Sequence, residues 1–316
     1  MRVRLPNLVI AGVAKAGTTS LFRYLSQHPE VCPSDKKELG YFSTIRYGED
    51  PRPLEEYAAH FSHCGSARYV MEATPGYFFG GAPLIEALER VLDRPRVIVV
   101  LRDPVTKFWS YYNFQRSRFC VDRDLTFDEY LETCERLRAQ GLDHLRANNE
   151  YWALSSGFYA DCIDDWLEAL GERFKVVFFE HMVSGPEATV AAILEWMQVD
   201  ASLVGDLDYS PSNRTMQYRS ATLRRAVSHL PRKSNEWLLR HPGMRGWLQR
   251  LYQATNRDKA REAVLSEQAR QRLQEIYRPA NARLAEKLRH RGVREVPDWL
   301  RTADSQRGED QGRTVG

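Results

Sequence analysis

Residues 12–20, Gly12-Val13-Ala14-Lys15-Ala16-Gly17-Thr18-Thr19-Ser20, carry the groups that hold an anionic oxygen. Glycines let successive backbone N–H groups turn inward, hydroxyls donate, and a helix starting here adds its positive end. A loop for ATP phosphates reads G-x-x-x-x-G-K-[ST], with lysine directly after the second glycine. Gly12 and Gly17 keep that spacing, but Thr18 stands at the lysine position and the lysine comes earlier, at Lys15. The segment reads as a phosphate cradle, and a kinase or ATPase is demoted. On the glycines alone, a strand-to-helix turn without a ligand is the plainer alternative.

Two further constellations carry chemistry. Arg102-Asp103-Pro104, followed by Ser110, offers a guanidinium and a hydroxyl for a second phosphate. Asp103 has two readings: a magnesium ligand of a nucleotide phosphotransferase, or a helix cap before Pro104. Lys36-Lys37-Glu38 offers a carboxylate that can take a proton, or an exposed acid in a local pair with its lysines. The eight histidines are scattered without triad or metal spacing. His28, before Pro29, reads as a partner of a helix C-terminus, and His60 and His63 lie where one of them can reach an acceptor.

These residues need elements to position them. Near-continuous apolar runs at 7–12, 69–72, 96–101 and 175–179 read as strands buried on both faces. A helix from Thr19 to about His28 and helical patterns around 83–92, 104–118, 126–139, 157–170 and 186–197 separate them. The alternation predicts an α/β fold, a P-loop-like parallel sheet flanked by helices on both faces in a single domain over 1–300. Ligands of such sheets bind beyond the carboxyl ends of the strands, so the 12–20 loop and Arg102 should share a crevice. A polar stretch at 200–222 interrupts the pattern, helical segments resume to about 291, and 301–316 reads as a disordered tail.

Composition narrows the classes. The 316 residues are 43% hydrophobic and 28% charged, with 45 basic against 42 acidic side chains and a net charge of +3. That excludes disorder, collagen and coiled coil, and the interleaving of acids with bases argues against nucleic acid as a partner. Only eight of the basic residues are lysines, so Lys15 and Lys37 stand out in a chain that otherwise uses arginine. No apolar run reaches the roughly 20 residues of a transmembrane span, and the start has no signal-peptide pattern. Five cysteines, odd in number and without a CxxC, predict neither a disulfide framework nor a zinc site, and point to a reducing cytoplasm.

In order and spacing, five segments resemble the sulfotransferases that use 3′-phosphoadenosine 5′-phosphosulfate (PAPS), in particular heparan-sulfate-type carbohydrate sulfotransferases and their bacterial relatives. They are Lys15 to Leu21, Lys37 to Phe42, Glu72 to Phe78, Arg102 through Ser110 to Arg116, and Gly157 through Leu167, in a likeness spanning roughly 5–290. The resemblance implies that Lys15, Ala16, Gly17, Thr18, Thr19 and Ser20 hold the 5′-phosphosulfate. Arg102 and Ser110 hold the 3′-phosphate, with Arg219 as a further contact from a loop that closes over the cofactor. Glu38 is the implied catalytic base, with Lys37 beside it, and Lys15 neutralises the leaving phosphate. PAPS would be the donor, adenosine 3′,5′-bisphosphate (PAP) the product, and no metal would be needed. The acceptor would be the hydroxyl or amine of a carbohydrate, a lipid or another small molecule.

Three positions depart from the heparan-type pattern. Gly40 stands where those members have a histidine, Ala73 where they have a second lysine, and no cysteine pair brackets the 200–222 loop. The alternatives are a nucleotide-dependent phosphotransferase and a non-catalytic protein that binds PAP or another nucleotide.

Overall fold

The computed structural model describes residues 4–118, 120–122, 124–210 and 265–301. Arg219, most of the 200–222 loop and the 302–316 tail lie outside them. Five strands, β1 (Leu8–Gly12), β2 (Val31–Pro33), β3 (Tyr69–Ala73), β4 (Arg96–Leu101) and β5 (Phe174–Phe178), form one sheet in the order β2-β3-β1-β4-β5. Every pairing is parallel. β1 and β3 are buried throughout, as their unbroken apolar sequence requires when helices cover both faces. From β1 the chain winds first to β3 and β2, then returns to β4 on the other side. The carboxyl ends of β1 and β4 therefore flank the switch point where a crevice opens.

Among the described residues the α-helices are α1 (Thr18–Leu25), α2 (Leu54–Ala59), α3 (Gly81–Val91), α4 (Pro104–Ser117), α5 (Phe127–Ala139), α6 (Ile163–Leu170), α7 (Phe179–Ser184), α8 (Pro186–Met197) and α9 (Glu267–His290). One apolar cluster surrounds the sheet, and a second joins α4, α5 and α9 through Phe108, Tyr112, Tyr130, Leu273 and Tyr277. α4 thus has its back in a core and is anchored for its full length. Its start is fixed by Asp103, whose side chain accepts from the N–H groups of Val105 and Thr106, and by Pro104 in the first turn.

The predicted strands and most helices stand within a few residues of their expected bounds. β2 escapes a pattern search because it is three residues long, ends in Pro33 and lies at the sheet edge. The helix expected over 157–170 begins only at Ile163; 3-10 turns at Ser155–Gly157 and Tyr159–Asp161 precede it. Gly157 is closed in by the Tyr277 ring of α9, 2.6 Å from where a Cβ would sit.

The cysteine expectation is corrected. Cys32 on β2 and Cys64 are joined in a disulfide, which ties the sheet edge to the segment after α2. Their separation of 32 residues hid the pair, because spacing alone does not show that the chain returns to the edge strand. The inference of a reducing compartment loses its ground with it. Among the described residues, no helix is long and apolar enough to cross a membrane.

Candidate functional site

At the end of β1 the chain turns into α1 through two left-handed residues, Lys15 (φ 69°) and Gly17 (φ 81°). Left-handed backbone is strained for a side chain such as lysine, by about 1 kcal/mol, and must be held by its surroundings. Arg102 does so by donating from Nη1 to the Lys15 carbonyl at 2.8 Å. At Gly17 a Cβ would lie 2.5 Å from the Met182 methyl and 3.0 Å from the Phe179 ring, so glycine alone lets α7 close over the loop. Ala16 and Thr18 are buried in the turn, while Lys15, Thr19 and Ser20 are half-buried toward the crevice.

Arg102 leaves the end of β4 and lies against α4. Its Nε donates to Thr106 Oγ1 at 3.2 Å, and its guanidinium stacks 4.3 Å from the Phe179 ring centroid. Lys15 Nζ lies 4.4 Å from the ring centroid of Phe114, further along the same helix. Thr106, Ser110 and Phe114 are spaced i, i+4, i+8 and share one face, so Ser110 sits between the arginine and the lysine. The ridge from 106 to 114 is about 12 Å long. Burial and the neighbouring Arg102 charge lower the Lys15 pKa, and the Glu38 charge opposes them. Arg102 is also lowered by burial, with Glu180 working against it.

Asp103 is no free metal ligand. Oδ1 accepts from Val105 N–H at 3.1 Å and Oδ2 from Thr106 N–H at 3.3 Å, while its own N–H donates to Glu180 Oε1 at 2.9 Å. The magnesium reading of this residue is thereby replaced by the cap.

Lys37 and Glu38 lie on a loop after β2 with little regular structure. Lys37 Nζ donates to Glu38 Oε1 at 2.9 Å; the lysine side chain is 15% exposed and the glutamate 62%. The Lys–Glu pair is thus real, and Glu38 lies near enough to Lys15 for its charge to favour the ammonium there. Glu38 has a left-handed backbone as well (φ 64°), as has Gly40 (φ 66°). Three alternate N–H groups pin this loop to the end of β3 and the turn after it. Glu38 N–H donates to the Ala73 carbonyl at 2.9 Å, Gly40 N–H to Thr74 Oγ1 at 3.1 Å, and Phe42 N–H to the Tyr77 hydroxyl at 3.2 Å.

The three histidines singled out in the sequence, His28, His60 and His63, are engaged elsewhere. His28 Nδ1 accepts from Glu30 N–H at 3.2 Å and Nε2 donates to the Asp200 carbonyl at 2.8 Å, so it braces a loop rather than a helix terminus. His60 pairs with Asp35 at 2.6 Å, and His63 Nε2 donates to the Pro33 carbonyl at 3.0 Å. Tyr41, Phe42, Tyr77 and Phe78 are core residues.

Sequence reasoning missed Thr106, Phe114, Phe179, Thr74 and Tyr77. Counting i+4 forward from Arg102 would have found the first two; the others act through contacts that only the fold creates. A cavity of about 580 Å³ also opens beside the ridge, lined in part by Arg102, Thr106, Phe179, His181, Pro297 and Trp299.

A parallel five-stranded sheet with a glycine-containing turn after β1, Arg102 at the end of β4 and an acidic loop beside them is a P-loop-like α/β fold. Residues 5–284 match the model of the sulfotransferase domain, and the chain belongs to that family. Over 94% of its length it is 24% identical to a bifunctional heparan sulfate N-deacetylase/N-sulfotransferase of Drosophila melanogaster, covering 27% of that protein. It is 35% identical over 113 residues to the membrane-associated sulfotransferase kil1 of Dictyostelium discoideum, covering 35% of this chain and 23% of kil1. A heparan sulfate glucosamine 3-O-sulfotransferase 3A1 of Mus musculus is 29% identical over 61% of this chain and 46% of its own. The chain thus spans less than half the length of these curated relatives. A solved sulfotransferase from Alicyclobacillus acidocaldarius superposes with a TM-score of 0.58 at 28% identity, over 71% of this chain and 90% of that one.

Proposed function

We propose that this chain transfers the sulfuryl group of PAPS to a hydroxyl or amine acceptor, with Glu38 as the base. The observation that carries the reading is the α4 ridge, with Lys15 at one end, Arg102 at the other and Ser110 between them. Two separate cationic groups, one against each end of the same helix face, suit a nucleotide bearing two separate anionic groups better than a single triphosphate tail. Bound PAPS supplies an activated sulfuryl group on a phosphate leaving group.

The chain's residues then have distinct tasks. The β1–α1 turn offers the backbone N–H groups and the hydroxyls of Thr18, Thr19 and Ser20 to the 5′ end, at the N-terminus of α1. Lys15, partly desolvated by its surroundings, neutralises charge that develops on the leaving oxygen. Arg102 and Ser110 take the 3′-phosphate, with Arg219 as a further contact. The cavity beside Arg102 has the Phe179 and Trp299 rings in its wall and suits the adenosine. Glu38, exposed and tethered by Lys37, takes the acceptor's proton. Sulfuryl transfer needs an in-line acceptor and a stabilised leaving phosphate, and these groups provide both without a metal.

Carbohydrate hydroxyls and amines are the first acceptors to try, because two of the relatives carry heparan sulfate in their names. Gly40 and Ala73 leave the crevice without the histidine and second lysine expected for such a polymer, so lipid and small-molecule hydroxyls belong in the same screen. The experiment is transfer of labelled sulfate from PAPS into extracts of the source organism, with mass identification of the product. A labelled product that vanishes with Glu38→Gln is expected. Transfer of labelled phosphate from γ-labelled ATP that appears only when this chain is added contradicts the reading.

A further inference from the structure

Glu72 is the most costly side chain in the sheet. It is fully buried on β3, and neither carboxyl oxygen has a hydrogen-bond partner at good geometry. An unpaired carboxylate in such surroundings is strongly disfavoured, and a buried polar group without a partner calls for an explanation. Its neighbours are two tyrosine hydroxyls, Tyr57 from α2 and Tyr77 from the turn after β3; these are the groups that act on its charge. Burial pushes both phenols far above their ordinary range, so both stay protonated. Tyr41 stacks on Tyr57 at 4.3 Å between ring centroids, and Phe42 meets the Tyr77 ring edge-on at 5.5 Å.

The position matters more than the burial. Glu72 directly precedes Ala73 and Thr74, and it faces Tyr77. Those three residues receive the N–H groups of Glu38, Gly40 and Phe42. Every one of these anchors of the base loop is therefore next to Glu72 in sequence or in space. The Tyr77 oxygen accepts from Phe42, and its own proton faces two polar groups, the Glu72 carboxyl and the Thr74 hydroxyl that anchors Gly40.

We infer that Glu72, in its neutral acid form, is a positioning residue for the Glu38 loop, acting through Tyr77, and that its ionisation loosens the loop. The neutral acid accepts from Tyr77 and donates its own proton toward Tyr57, so each hydroxyl keeps a fixed role. Loss of the proton leaves a buried negative charge on which, among the described residues, no cation acts, and letting water reach it means lifting the loop's own Tyr41 and Phe42 rings off Tyr57 and Tyr77. Burial raises the Glu72 pKa to about 7, which puts this change within the ordinary working range. The inference rests on the proposed role of Glu38 for its functional meaning, but its test does not.

That test is hydrogen exchange of the full chain, read by mass spectrometry on peptides spanning 36–43 and, as a control, 8–12, between pH 5.5 and 8.5. After correction for intrinsic exchange, protection of 36–43 is expected to fall by about tenfold as pH rises through 7, with the β1 peptide unchanged. Glu72→Gln, which mimics the neutral acid, should keep the low-pH protection and flatten the step. Tyr77→Phe should lower protection at every pH. A wild-type step that survives in Glu72→Gln, or no step in the wild type, overturns the inference. Either result leaves the Glu38 base to be judged separately by PAP binding and turnover of Glu38→Gln.

Discussion

The two loops that meet at the crevice are built in opposite ways. The phosphate loop is a short junction between β1 and α1. Its strained residue Lys15 is tied to Arg102, and its glycine is closed over by Met182 and Phe179. The base loop has little regular structure of its own and hangs on three N–H bonds to the end of β3 and the turn after it. The first is held by packing and a helix start, which change little with conditions. The second has Leu39, Tyr41 and Phe42 in the core, but its backbone is fixed by single hydrogen bonds beside a buried acid, which do. On the proposed function, binding of the donor and removal of the acceptor's proton fall to two loops held in different ways.

The sharpest way to break this division is to remove one charge from each loop. Lys15→Ala should lower transfer by about a thousandfold and also abolish thermal stabilisation by PAP, since the same ammonium serves binding and leaving-group charge. Glu38→Gln should lower turnover by about a hundredfold or more while PAP stabilisation stays at the wild-type level. A Glu38 variant that loses PAP binding, or a Lys15 variant that keeps it, erases the distinction.

A smaller effect concerns stability against pH. The folded-state pKa of Glu72 is raised to about 7 from 4.5, so the folded chain holds a proton that the unfolded chain releases. Its contribution is fully present below 4.5 and is lost as pH rises through 7, by about 3 kcal/mol in all. Denaturant melts should show this decline, and Glu72→Gln should remove it. Gly17→Ala should destabilise by about 2 kcal/mol, through the left-handed backbone and the contact with Met182. The mirror change in the base loop, Gly40→Ala, should cost less, because the nearest atom to a Cβ there is Ser43 Oγ at 3.5 Å. Equal losses at the two glycines would show that the loops are equally tightly packed.

The same contrast governs what was legible in the sequence. The phosphate loop announces itself through glycine spacing and an apolar strand before it, and Arg102 through the end of a second such strand. Strand alternation gave the parallel sheet, except for β2, whose three residues and terminal proline leave no period to detect. The base loop could be found only by family resemblance, because its support comes from backbone N–H groups that every residue type carries. The Cys32–Cys64 link was hidden for a related reason: it depends on α2 leading the chain back to the edge strand. Asp103 was ambiguous between metal ligand and cap, and only the two N–H donors at its carboxylate settled which.

The central claim is that the α4 ridge is built for a nucleotide with a 3′-phosphate and a 5′-phosphosulfate. Thermal unfolding of the wild-type chain with PAP or with Mg-ATP, at equal concentrations, tests it most directly. The account predicts a melting temperature raised by PAP, dependent on Lys15 and Arg102, with little or no change from Mg-ATP. Stabilisation by Mg-ATP alone would contradict it and make the crevice a site for a phosphotransferase.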